Sequence, residues 1–328
     1  MENSTNTLAD ICKMADARTR EMKRILVVGL ACLDIINTVD RYPREDEDTR
    51  ALSQRWQKGG NAANTAVVLT QTLDTSCELL CSLNTGIEGQ YVKEDLQKRG
   101  VLIENCPVNK NCGFPTSCVL INSVCGSRTI IHARNNLPEL ELTDFDKLDL
   151  SLYSWIHFEG RRNVDEIIKM IKKVRDFGRE QKLQIKISVE FEKKRPEFEP
   201  LFKVEADVIF IGKDFAQFSG FTTPEETVNG LSTQVHSTSV LICPWGERGA
   251  VARGCDKEIC SSPAYPPERV VDTLGAGDTF IAGVIFCLNR GRLIKDAIQF
   301  GCQLAGKKCG IQGFDGLKVT QSDSDIRS

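Results

Sequence analysis

Short apolar runs that alternate with helix-periodic stretches leave this chain few architectures to choose from. Ile25-Leu-Val-Val-Gly-Leu30, Trp155-Ile-His-Phe158, Ile185-Lys-Ile-Ser-Val189, Val208-Ile-Phe-Ile211 and Val240-Leu-Ile-Cys243 read as buried strands. Between them Gly89 to Arg99, Val164 to Phe177 and Pro224 to Thr233 carry apolar residues at helical spacing. Parallel neighbours need a long crossover, for which a helix is the usual solution, so the repeated order predicts a mostly parallel sheet with helices on both faces. Two helical runs close the pattern, Asp278 to Asn289 and Leu293 to Cys309, separated by Arg290-Gly-Arg292. The expected class is α/β in three layers.

The rhythm breaks twice. Residues 35–56 alternate around Tyr42-Pro43, and residues 114–133 read as a hairpin turning at Cys125-Gly-Ser127. Together they predict a small accessory sheet, with extra edge strands of the main sheet as the alternative. Polar residues 1–23 are expected to form a disordered leader, 24–317 one domain, and 318–328 a loose tail.

A formal charge of −3, with both signs interspersed, offers no electrostatic footprint for nucleic acid or an anionic membrane. No apolar run approaches the roughly 20 residues that span a bilayer. The 14 cysteines include no C-x-x-C pair, and several lie in apolar runs (Cys81, Cys243, Cys287, Cys302). They read as reduced thiols of a cytoplasmic protein. Three histidines without paired spacing make a zinc site a poor reading.

The segment Asp272-Thr-Leu-Gly-Ala-Gly-Asp278 carries the chemistry. Glycines that open a helix let backbone N–H groups converge on one spot, where the helix dipole also favours negative charge. Asp278, in the first turn beside that spot, can accept the proton of an attacking hydroxyl, as phosphoryl transfer to an alcohol requires. An N-capped helix is the plain alternative, but two aspartates bracketing Gly-Ala-Gly exceed what capping needs. Elsewhere, Gly301-Cys-Gln-Leu-Ala-Gly-Lys-Lys308 misses the P-loop by its last residue and lies inside a helical pattern. Val28-Gly-Leu-Ala-Cys-Leu-Asp34 has one glycine where a dinucleotide fingerprint needs three.

Asp272 to Asp278, continued by Thr-Phe, resembles the C-terminal signature of the ribokinase-like (PfkB) carbohydrate kinases. Gly59-Gly-Asn-Ala-Ala-Asn64 is similar to the family's N-terminal signature, and Gly86-x-x-Gly89 with Leu96-Gln-Lys-Arg-Gly-Val101 also fits. Further stretches resemble the family's ketohexose-phosphorylating members, among them Leu52 to Gln57, Trp155 to Arg161 and Ala305 to Gly316.

This resemblance implies the ribokinase-like fold with a β-sheet lid, and ATP-dependent phosphorylation of a ketohexose, D-fructose to fructose 1-phosphate. Asp278 would be the base, with the N–H groups of Gly275, Ala276 and Gly277 as the anion hole. Asp34, Gly60, Asn61, Asn64 and Asp278 would bind the sugar. Carboxylates and amides can each engage adjacent hydroxyls, although for Asp34 or Asn64 alone a loop cap is the commoner explanation. Arg128, Gly246, Glu247, Arg248 and Gly249, with the Gly275–Gly277 turn, would contact ATP, and Arg161 is a weaker candidate near the phosphates or sugar. Mg²⁺ is the implied metal, with a monovalent cation such as K⁺ as a further candidate. The family's Asn-x-x-Glu metal motif is replaced here by Gly212-Lys-Asp-Phe-Ala-Gln217, so no metal ligand is named. The resemblance also implies a homodimer through the lid. The alternatives are a kinase for another sugar or a nucleoside, and a catalytically silent sugar- or nucleotide-binding protein.

Overall fold

A computed structural model describes residues 23–193 and 195–319. The expected leader, Lys23 apart, and the expected tail, Lys318 and Val319 apart, fall outside these residues.

Eight strands make the central sheet. Cys77–Leu80, Arg24–Val28, Tyr153–Glu159, Lys186–Phe191, Val208–Ile211 and Val240–Pro244 run parallel in that spatial order. Ala250–Arg253 and Ile259–Ser262 extend one edge antiparallel. All of the strands expected from apolar runs are present. Those missed are Cys77–Leu80, whose apolar run is broken by Glu78, and the antiparallel pair, whose short strands end in Arg253 and in Ser261-Ser262.

The first strand shows how the sheet is buried on both faces. Ile25 and Val27 pack into one core, with Phe280, Val284 and Ile298. Leu26 and Val28 pack into the other, with Ile167, Met170 and Val174. Side chains alternate faces along a strand, so a parallel strand covered on both sides must be apolar throughout.

The helix Val164–Gln181 supplies much of the second layer. Asp165 and Glu166 complement the helix dipole in its first turn, and Lys182 ends it in the left-handed conformation, φ 54°. Its apolar stripe, Val164, Ile167, Met170, Ile171 and Val174, follows the helical period and is buried. On the opposite face, Ala276–Asn289 is buried on all sides from Asp278 to Cys287. It packs against Ile294–Cys309 so closely that a Cβ on Gly283 would stand 3.1 Å from the Cα of Gly301. Gly301 and Gly306 are thus packing glycines inside a helix, and a Cβ on Gly306 would collide with the Tyr265 carbonyl. The near-match to a P-loop has no phosphate-binding geometry.

The two irregular regions form a separate four-stranded sheet in the order Ser53–Gly59, Cys32–Val39, Thr116–Asn122, Arg128–Ala133. The accessory sheet is therefore real, and the alternative of extra edge strands is excluded. This sheet, the lid, joins the core at both ends of its first two strands: Cys32 follows the first core strand, and Gly59 leads into helix Asn61–Val67.

Candidate functional site

Two of the parallel strands carry carboxylates towards their C-terminal ends, where open α/β sheets place their ligands. Glu159 and Glu190 end neighbouring strands in direct register. Helices Asn61–Val67 and Ala276–Asn289 begin above them, and the lid stands over both.

Helix Ala276–Asn289 opens at Gly275, held at φ 78°. A side chain there would be strained by that backbone, and its Cβ would meet Phe314 at 2.5 Å. A Cβ on Gly277 would meet nothing within 4 Å, so this glycine borders open space. No side chain caps the helix, whose first-turn N–H groups lack partners within it. Of the N–H groups expected to form an anion hole, that of Ala276 donates to the Thr273 carbonyl at 3.3 Å.

The two bracketing aspartates have different tasks. Asp272 accepts from Lys308 Nζ at 2.9 Å, from the Gly313 N–H at 2.9 Å and from the Leu274 N–H at 2.9 Å. Lys308 is fully buried. Burial opposes the charge on Asp272, but Lys308 and the two amides outweigh it and hold the carboxyl below its usual range. Asp272 is a structural tie that pins the turn to the C-terminal segment.

Asp278 is different. Its Oδ2 accepts from Asn64 Nδ2 at 2.7 Å, and it is 6% exposed. Burial pushes its carboxyl up to about 7; the Asn64 amide opposes that, Glu192 and Glu159 add to it, and Lys58 opposes it. A carboxylate poised near neutrality suits a general base at physiological pH.

Of the expected acceptor residues, Asn64 contacts Asp278 directly. Gly60 starts helix Asn61–Val67 at φ 98°, where a Cβ would stand 2.3 Å from the Leu30 carbonyl. Asn61 Nδ2 donates to Glu190 Oε1 at 3.3 Å. Asn64, one turn later, faces Asp278 and accepts from Lys58 Nζ. Asp34 lies buried on the lid strand Cys32–Val39, where Cys32 Sγ donates to its Oδ1 at 3.5 Å. Burial raises its carboxyl, against Ser117, Cys32 and Lys58.

Arg128, on the lid strand Arg128–Ala133, donates through Nη1 to Thr273 Oγ1, which brings its guanidinium to the edge of the anion turn. Gly246, Glu247, Arg248 and Gly249 form the turn between strands Val240–Pro244 and Ala250–Arg253. Gly249 at φ 82° packs against the Ser262 carbonyl, while Glu247 pairs with Lys213 at 2.9 Å. Arg161 pairs with Glu139 at 2.9 Å and with Glu159 at 3.2 Å, and so holds Glu159 in place. Glu159 in turn accepts from the Leu30 N–H at 2.8 Å and the Ala62 N–H at 3.3 Å, fixing the lid hinge to the helix start.

Lys58, Glu159, Glu190 and Phe314 belong to the site but were not among the residues expected from sequence. Glu190 is notable because its Oε2 is buried without a hydrogen-bond partner. Burial raises its carboxyl, with Asp278, Glu192 and Glu159 adding to the shift. Among the described residues, no group of three or more His, Cys, Asp or Glu is placed to hold a metal ion, and no helix is long and apolar enough to cross a membrane.

The sequence matches the family described as pfkB family carbohydrate kinase over residues 22–315. It is 46% identical to mouse ketohexokinase over 299 residues, covering 90% of this chain and 99% of that protein. The fold is similar to that of ribokinase from Giardia lamblia, with a TM-score of 0.77 at 14% identity, covering 93% and 98% of the two chains. It is also similar to Arabidopsis thaliana ribokinase complexed with ribose and ATP, with a TM-score of 0.74 at 21% identity, covering 89% and 94%.

Proposed function

The chain belongs to the pfkB family of carbohydrate kinases, and we propose that it transfers the γ-phosphoryl group of ATP to the 1-hydroxyl of a ketohexose, D-fructose giving fructose 1-phosphate. The observation that carries the mechanism is the contact between Asn64 and Asp278 beside the uncapped helix start at Gly275.

In this reading Asp278 takes the proton from the acceptor hydroxyl as its oxygen attacks phosphorus. Asp34, Gly60, Asn61 and Asn64 hold the remaining hydroxyls, so that the attacking oxygen stands beside Asp278. The N–H groups of Gly275, Ala276 and Gly277 receive the transferring group, and the open space at Gly277 lets it approach the backbone. Arg128 reaches over from the lid to the nucleotide phosphates, with Gly246, Glu247, Arg248 and Gly249 framing the nucleoside.

Mg²⁺ travels with the nucleotide, commonly keeps several waters and needs few protein carboxylates. The residues present fit that mode: Glu190, with its unpartnered Oε2, would hold the ion through its water shell. The ion would offset negative charge on the phosphates.

A homodimer through the lid belongs to the same proposal. Strand Arg128–Ala133 is exposed along its whole length, with Ile131 63% exposed, and Trp56 on the other edge strand is 39% exposed. Edge strands left open with exposed apolar side chains in this way invite pairing with a second copy.

The test is ADP release measured with D-fructose, ribose, fructose 6-phosphate and adenosine as acceptors. Preference for fructose with fructose 1-phosphate as product is expected. Preference for any of the other three would replace the ketohexose assignment, and sugar binding without ADP release would replace catalysis with a binding role.

A further inference from the structure

Lys58 sits on lid strand Ser53–Gly59, two residues before the Gly60 turn, and only 3% of it is exposed. A buried ammonium normally rests against a carboxylate. Here its partners are the Oδ1 of Asn64 and the face of Phe314, 4.4 Å from the ring centroid. Asn64 then passes the contact on, donating from Nδ2 to Asp278 at 2.7 Å. A cation from the lid is thereby connected to the candidate base through one amide.

We propose that Lys58 is a positioning residue for phosphoryl transfer, which fixes the Asn64 amide with its N–H end toward Asp278 and so ties the base to the lid. This deepens the kinase reading and rests on it. An ammonium only donates, so it holds the oxygen end of the amide and leaves the nitrogen end for Asp278. A donor at that position favours the carboxylate, the form able to accept a proton. Without Lys58 the amide can turn, present its oxygen to a protonated Asp278, and stabilise the inactive acid. A lid displacement that lifts Lys58 away has the same effect, so the base is held in its working form only under a seated lid.

The surrounding charges agree with this direction. Asp278 faces Glu159 and Glu192 at the ends of the core strands, both of which oppose its ionisation, and it in turn opposes that of Glu190. Lys58 works the other way, and it also faces Asp34 on the neighbouring lid strand. Asp95 and Arg99, the other charged groups that Lys58 feels, are paired with each other at 2.8 Å. Lys308, 5.5 Å from the Phe314 ring centroid, is committed to Asp272.

The experiment compares wild type, Lys58→Met and Lys58→Arg by the pH profile of kcat, the KM for fructose and the melting temperature. In Lys58→Met, kcat at pH 7 is expected to fall about tenfold or more, and its acidic limb to move alkaline by about one unit. The KM should change by less than about threefold, because the loss lies in the chemical step. Lys58→Arg keeps the cation and should leave the limb in place. A Lys58→Met profile that superimposes on wild type overturns the proposal. So does a lower melting temperature with an unmoved limb, which would mark Lys58 as a packing residue. If Lys58→Met does not fold, Lys58→Arg decides: a limb that moves although the cation is retained overturns the proposal, and an unmoved limb supports it. Absence of ADP release from wild type with every acceptor would instead overturn the kinase reading, and is measured first.

Discussion

Asn64 donates a 2.7 Å hydrogen bond to Asp278 across 214 residues of sequence, joining the starts of two helices. The proposed acceptor site and the proposed base would therefore act as one unit, and several consequences can be measured.

Asp278→Asn removes the base while keeping the shape. Turnover should fall by about 10²–10⁴-fold, with ATP binding retained by calorimetry. Turnover like that of wild type would remove Asp278 from the mechanism.

The same substitution should stabilise the protein at alkaline pH. Folding raises the Asp278 carboxyl from an ordinary 3.8 to about 7, so between those values the native state binds more protons than the unfolded chain. Stability from this group is complete below about 4 and is lost as pH rises through about 7. Asp278→Asn abolishes that loss, a difference on the order of a few kcal/mol above pH 8 that shrinks towards pH 4. Melting curves at pH 5 and pH 8 check it: an equal gain at both would refute the linkage.

Asp272→Asn should behave in the opposite way. It leaves the buried Lys308 without its carboxylate, an omission that costs about 3–5 kcal/mol in comparable buried pairs. Denaturant unfolding should show the loss even without substrate. A stability equal to wild type would contradict the structural role given to Asp272.

The two glycines of the turn should separate folding from catalysis. Gly277→Ala adds a Cβ to open space and removes a costly glycine from a helix, so melting should be unchanged or slightly higher. Because that space is where the phosphoryl group is expected, kcat should drop tenfold or more, at about 1.4 kcal/mol per factor of ten. Gly275→Ala forces a strained φ and a clash with Phe314, and should lower both stability and activity. Unchanged kcat in Gly277→Ala would move the anion site elsewhere.

Ile131→Lys places a charge on the exposed lid strand. If the lid joins two copies, light scattering at micromolar concentration should show a dimer for wild type and a monomer for the variant. A monomeric wild type would refute dimerisation.

Much of this was legible before any coordinates. The core strands Arg24–Val28, Tyr153–Glu159 and Val208–Ile211 are rich in apolar residues because both of their faces are covered, and they announce themselves as runs. Gly275 could be read because a left-handed turn constrains backbone, and such constraints appear as glycine. Lys58 could not: in Arg55-Trp-Gln-Lys58-Gly it looks like any solvated lysine, and its burial depends on Phe314, which arrives 256 positions later (314 − 58). Asp272 misled in a similar way, because its partner Lys308 reads as a helix-terminal charge. The partners of Arg161 were equally hidden, since Glu139 lies 22 positions before it and nothing in that spacing announces the pair.

The tie between Asp272, Lys308 and Gly313, with Phe314 beneath Gly275, also sets an order of events during synthesis. The anion turn is made by residues 272–278, but the groups that clamp it are translated some 30 to 40 codons later (308 − 278 = 30; 314 − 272 = 42). A nascent chain can build the sheet and present its nucleotide segment while the turn is still loose. The turn takes its clamped form only once residues 308–314 have docked against it, so its shape depends on contacts made late in the chain.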